Sequence, residues 1–96
     1  MKMNDKAYIL TFDRESDKDY LEFHNKLGLL PNVKKWFHYI KSSYIIISDV
    51  RTATELNKSI KEIIPNDRFL ILEVDLNNSN GYLPEQGWTW IRKHRK

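Results

Sequence analysis

Residues able to do chemistry stand at the ends of two predicted strands of this chain. They are a carboxylate, a guanidinium, an imidazole and several hydroxyls: Asp13, Arg14, Ser16, His38, Ser42 and Ser43. A carboxylate oxygen is a hard ligand that suits Mg²⁺. An imidazole can act as a general base or hydrogen-bond a phosphate, and serine hydroxyls in a turn can also bind phosphate. These residue types indicate a metal-dependent or phosphate-binding site.

Each of these residues also has a purely structural interpretation. Asp13 is most simply a solvated strand end or a cap for the residues after it, because a metal site normally has several ligands. His38, between Phe37 and Tyr39, is most simply a packed side chain that hydrogen-bonds a neighbouring carbonyl or serine. Serine is common in turns for its own local hydrogen bonds. Both interpretations stay open at the level of the sequence.

Several kinds of chemistry are disfavoured by motifs that the chain lacks. It has no Walker loop, Rossmann glycines, His-Glu-x-x-His or Gly-x-Ser-x-Gly motif, and its 3 glycines nearly exclude a phosphate-cradling loop. The absence of cysteine excludes disulfides and thiolate metal sites and fits a reducing cytosol. The polar first residues and the short apolar run at residues 44–47 predict neither a signal peptide nor a membrane span. We expect a cytoplasmic protein with no cofactor; the alternative is Mg²⁺ at an Asp13 site that two subunits share.

The elements that must position these residues form a simple order. Apolar, β-rich runs predict strands at residues 7–13, 33–40, 43–48 and 69–75. A first helix is predicted from an N-cap at Ser16 to Pro31, and a second begins at the capping box formed by Thr52 and Glu55. Apolar residues recur at helical spacing in both helices: Tyr20, Phe23, Leu27 and Leu30, then Leu56, Ile60, Ile63 and Ile64. This order predicts a single α+β domain over residues 1–96, with its core at residues 7–75.

The compact arrangement of this order is a ferredoxin-like βαββαβ sandwich. Its four-stranded antiparallel sheet has the order 4-1-3-2, with both helices on one face. The other face is then uncovered, and we expect a second subunit, the C-terminal segment or both to cover it. Asp13 and the hairpin at residues 41–42 should meet at one end of the sheet, with His38 near it. Asp49 and Asp75 should lie at the opposite end.

The C-terminal segment, residues 82–96, is predicted to dock on the domain as a short helix after Pro84 or as an extra strand. Its indoles, with one earlier in the chain, are candidates for core, interface or base stacking: Trp36, Trp88 and Trp90. In a helix Trp88 and Trp90 should point to different faces, so one of them is expected to reach a partner. The chain's net charge of +3 comes from the basic tail: Arg92, Lys93, Arg95 and Lys96. A frayed, solvated tail is preferred over a nucleic-acid contact.

Three stretches resemble the SinR-like family of small bacterial and phage proteins. They are a strand ending in Phe12-Asp13, the hairpin Trp36-Phe37-His38-Tyr39-Ile40-Lys41-Ser42-Ser43 with its apolar run, and Gly81-Tyr82-Leu83-Pro84 followed by Trp88-x-Trp90. That family is similar in turn to the small ferredoxin-fold nuclease subunit of CRISPR adaptation. The resemblance implies a homodimer, a history with nucleic acid, and an Asp13 near the two-fold axis that can share a divalent metal with its mate.

Three functions are therefore compared. The leading hypothesis is a homodimeric ferredoxin-fold protein that binds nucleic acid or a nucleotide at the Asp13 and His38 end. The second is an Mg²⁺-dependent nuclease with Asp13 as ligand. The third is a phage or mobile-element protein that binds and inhibits a host defence protein through its open sheet face or C-terminal aromatic residues. None of the three involves a membrane.

Overall fold

The ferredoxin-like α+β fold is confirmed. The structure, a computed structural model, describes residues 5–13, 20–40 and 43–95, with only the backbone of Tyr20 and Tyr39. Over these ranges the elements are β1 (Lys6–Asp13), α1 (Tyr20–Leu29), β2 (Val33–Ile40), β3 (Ser43–Ser48), α2 (Ala53–Ile63), β4 (Arg68–Val74) and α3 (Glu85–His94). Four of the predicted site residues lie outside the described residues: Arg14, Ser16, Ser42 and Lys96. The predicted helix cap and hairpin turn fall there as well.

The sheet has the predicted strand order, read here as β2-β3-β1-β4, and every neighbouring pair is antiparallel. Residues directly opposite each other in such a pair lie on the same face. On β1, Tyr8 and Leu10 face the helices α1 and α2, whereas Ala7 and Ile9 face the other side. We call these two sides the helix face and the outer face.

The main core lies between the sheet and the helices α1 and α2. Leu56 and Ile60 of α2 are fully buried there, as their helical spacing predicted. Burying a side chain of this size contributes about 1.5–3 kcal/mol. Thr52 is confirmed as the N-cap of α2, since its hydroxyl accepts a hydrogen bond from the Glu55 N–H at 3.3 Å, one of the two bonds of a capping box.

The third helix covers half of the outer face, so the alternative of an extra C-terminal strand is wrong. Gly87, Ile91 and His94 recur at helical spacing and are all buried. Ile91 belongs to a second core with Ala7 and Ile47 of the sheet. None of the helices in the described part of the chain is long and apolar enough to cross a membrane.

Two expectations for α3 need correction. Trp88 and Trp90 both pack against the second core, because they flank Ile91 on either side and their rings are wide enough to reach it. The basic tail was expected to be frayed, but α3 extends to His94 and includes Arg92 and Lys93 in its last turn. Positive charge is favourable at that end of a helix dipole.

The other half of the outer face is open. Ile40, Leu70 and Leu72 are 58%, 54% and 51% exposed, and the pairings of their strands place all three on this face. They surround the inner residues Ile9 and Ile45. We call these five residues the open patch. A fully covered sheet is therefore not achieved by α3 alone.

Candidate functional site

The sheet brings those predicted site residues that the structure describes, Asp13, His38 and Ser43, to one end. Asp13 lies opposite Arg68, and Thr11 lies opposite Ser43. The Ser43 hydroxyl donates to the Thr11 hydroxyl at 3.5 Å. At the other end Lys6 pairs with Ser48, so Asp49 is far from Asp13 as predicted. Asp75 likewise follows β4 at that far end.

The two faces of the sheet nevertheless separate this set. Asp13 and Ser43 alternate with Phe12 and Tyr44, which are buried against the helices, so Asp13 and Ser43 lie on the outer face. His38 lies on the helix face, where its ring stacks on Tyr44 with centroids 4.2 Å apart and planes 13° apart. Asp13 and His38 therefore share an end of the sheet, as predicted, and face opposite sides of it.

Asp13 is exposed and stands beside a base. Its cross-strand neighbour is Arg68, and Cβ atoms in such a pair are roughly 5 Å apart. An arginine at this distance competes with a cation for the carboxylate. Among the described residues, no group of three or more acidic or histidine side chains could hold a metal ion. The described residues around Asp13 therefore do not form a metal site by themselves.

A cluster of rings on the helix face was not foreseen from the sequence. His24 of α1 reaches the sheet, where its Nε2 lies 2.6 Å from the Tyr44 hydroxyl oxygen. The His24 ring is 4.7 Å from that of Trp36 and 5.4 Å from that of His38. We call these four residues, His24, Trp36, His38 and Tyr44, the histidine cluster. Their signal in the sequence was the position of His24 beside Phe23, on the apolar side of a predicted helix.

The histidine cluster changes the chemistry of His38. Burial lowers the pKa of His38 first, and the nearby His24 lowers it further. A hydrogen bond with the backbone of Ile40 opposes this change. The structure thus supports the packed interpretation of His38, with a backbone partner on its own strand. Trp36 is a core residue of the same cluster and is partly buried.

A small groove marks the open patch. It has a volume of about 100 Å³ and is lined almost wholly by apolar atoms of Ile9, Phe37, Ile40, Ile45 and Leu83, with Ser43 at the edge. Tyr82, which precedes Leu83 in the sequence, is fully exposed. An apolar groove flanked by exposed aliphatic side chains is typical of a contact surface for a protein.

A group of exposed basic residues lies at the C-terminal end of α3, apart from this groove. Arg92, Lys93 and Arg95 are exposed around its last turn. Arg92 forms an ion pair of 2.9 Å with Glu85 on the same helix. Lys35 of β2 is exposed as well and pairs with Ile47, which packs against α3.

Comparison of the chain with protein-family models, with curated proteins and with solved structures gives no match.

Proposed function

We propose that this chain is a binding protein that acts as a homodimer, joined through the open patch of the outer face. The observation that carries the proposal is the exposure of Ile40, Leu70 and Leu72 around an apolar groove. Contiguous apolar surface of this kind is costly in water, so it usually marks an interaction site.

A second copy of the chain is the partner that this surface suits best. A two-fold interface must be complementary to itself, because both chains contribute the same residues. The open patch has an apolar centre, and it ends at a neighbouring acid and base, Asp13 and Arg68. Rotation about a two-fold axis would allow Asp13 of each chain to meet Arg68 of the other. Small domains also gain proportionally more from burying surface against a partner.

The proposed ligand class is nucleic acid or a nucleotide, as the resemblance to SinR-like proteins implies. The basic end of α3 supports it, since Arg92 and Lys93 are exposed there and can contact phosphate. In the dimer, Thr11, Asp13 and Ser43 would lie beside the shared axis, while His38 would face away from it. The proposal does not include cleavage, because Arg68 stands beside Asp13 and would compete with a metal ion for its carboxylate.

The dimer is tested by the molar mass in solution. We expect light scattering to give twice the 11.6 kDa of one chain, and the variant Leu72→Glu to return to a single chain because its charge would be buried unpaired. Leu29→Glu is the matched control, since Leu29 is 82% exposed at the end of α1, away from the outer face. It should remain a dimer.

A wild-type chain of single mass at high concentration would refute the dimer. The open patch would then be left to a different protein, which is the behaviour expected of an inhibitor of a host defence protein.

The ligand class is tested by retention on immobilised single-stranded DNA or RNA at increasing salt. Retention should fall steeply with salt, with a logarithmic slope of about −0.7 for each phosphate contacted. The double variant Arg92→Glu, Lys93→Glu should bind more weakly and show a shallower slope. The control is Lys58→Glu, Lys61→Glu, which makes the same charge change at exposed positions of α2. Equal losses in both variants would show a net-charge effect and would argue against a site on α3.

A further inference from the structure

A cavity of about 320 Å³ lies at the end of the sheet opposite Asp13. It forms where β1 begins and where β4 and α3 end, so it is separate from the open patch and from the residues of the proposed function. Its floor is apolar and consists of Ala7, Val74 and Leu76. Ala7 and Leu76 are only 4% and 5% exposed, so this floor is held in place by the second core.

The rim of the cavity carries both signs of charge. Lys6 and Arg95 supply two bases, and Glu73 and Asp75 supply two acids. Lys6 is engaged by Glu73, with 3.3 Å between Nζ and Oε1. A rim with equal numbers of acids and bases disfavours a purely anionic or purely cationic ligand and favours a molecule with both charges.

One charge of each sign remains accessible to a ligand. Arg95 makes no side-chain hydrogen bond or ion pair with another described residue. Asp75 uses its Oδ1 atom to accept from the Asn77 N–H at 2.9 Å and from the Asn77 side-chain amide at 3.0 Å. Its Oδ2 atom is left to accept a further hydrogen bond.

His94 adds a fixed polar atom to this rim. It is 6% exposed, its ring packs 4.2 Å from the ring of Trp90, and its Nδ1 lies 2.9 Å from the Trp90 carbonyl oxygen. Because a carbonyl oxygen can only accept, Nδ1 must donate. In the neutral ring Nε2 then holds the lone pair and accepts a hydrogen bond. The His94 ring cannot rotate out of this position without losing its hydrogen bond to the Trp90 carbonyl oxygen.

We propose that this cavity binds a zwitterion of amino-acid size. The guanidinium of Arg95 binds the carboxylate of the ligand through two parallel hydrogen bonds, because its forked N–H groups match the geometry of a carboxylate. The Oδ2 atom of Asp75 and the Nε2 atom of His94 accept from the ammonium group. The floor at Ala7 and Leu76 takes an apolar side chain.

The experiment is a titration of the full chain with L-leucine, followed by the NMR signals of the Ala7 and Leu76 methyl groups. We expect saturable shifts with a Kd of about 1 mM, in keeping with the few atoms of the ligand. N-acetyl-L-leucine lacks the cation and L-leucinamide lacks the carboxylate, so each should bind at least tenfold more weakly.

Variants assign the two charges separately. Arg95→Ala should weaken L-leucine tenfold or more, whereas Lys93→Ala, which removes an exposed base from the same helix outside the cavity, should leave it unchanged. His94→Gln retains a side-chain acceptor and should bind with reduced affinity. Absence of saturable shifts, or binding of either one-charge analogue as tight as that of L-leucine, would overturn the proposal. Neither result bears on the dimer or on its nucleic-acid ligand.

Discussion

The variant Tyr44→Ala is expected to lose about 3–5 kcal/mol of the free energy of unfolding, the usual cost of truncating a large buried aromatic residue to alanine. Tyr44 is 1% exposed. Its ring contacts those of Phe12 and Phe23 at 5.6 and 5.1 Å, and those of His24 and His38 at 5.5 and 4.2 Å. Small domains have only about 5–15 kcal/mol in total, so the variant should lose a large share of its stability and unfold at a much lower urea concentration.

Tyr44→Phe is the matched control for this prediction. It keeps the ring and removes only the hydroxyl that bonds His24 at 2.6 Å, so it should cost about 1 kcal/mol. Urea denaturation of the three proteins, followed by circular dichroism, gives both differences. Similar midpoints for the alanine variant and the wild type would show that the histidine cluster is not part of the stabilising core.

The second expected effect is a loss of stability as the pH falls. Burial and the proximity of His24 hold the pKa of folded His38 below its usual value of 6.5. Between that lowered pKa and 6.5, the unfolded chain binds a proton at His38 and the folded chain does not. Linkage then requires the free energy of unfolding to fall with falling pH across this window, and to level off below the folded pKa.

The sign of this effect is checked by denaturation at a series of pH values between about 5 and 8, the range in which histidine titrates. The variant His38→Phe retains an aromatic ring against Tyr44 and removes the titrating group, so its stability should vary less over the same range. His94→Gln serves as control, since His94 lies at the end of α3, away from the histidine cluster, and its replacement should leave the slope that belongs to His38 unchanged. A His38→Phe profile parallel to the wild type would contradict the prediction.

Much of the fold could be read from the chain because local signals agreed with one another. The strands at residues 33–40 and 43–48 were predicted with the bounds that the structure has, since both are short apolar runs between breakers. The Thr52 capping box and the spacing of Leu56 and Ile60 gave the second helix in the same way. Topological rules then fixed the strand order and the end of the sheet to which Asp13 belongs.

Which residues lie together in the candidate site could not be predicted from the sequence. Which face His38 occupies depends on the register of β2, and β2 shifts register between Val33 and Lys35 and again between Phe37 and Ile40. Such irregularities depend on pairing with β3 and have no clear sequence signal here. The approach of His24 to Tyr44 also depends on tertiary packing, because the two residues come from different elements. The packing of both Trp88 and Trp90 on the second core was missed. Helical periodicity gives the direction in which a side chain leaves the helix and takes no account of the size of its ring.

The two borders of the sheet differ in a way that limits assembly. β2 carries the register shifts and the exposed Lys34 and Lys35, devices that discourage another chain from adding a strand. β4 pairs with β1 without interruption, and its residues 69–72 are all apolar. Lengthening of the sheet by hydrogen bonding is therefore permitted at one border only. If the chain already pairs through the open patch, pairing along β4 would join one dimer to the next, so this border is where we expect larger assemblies to grow.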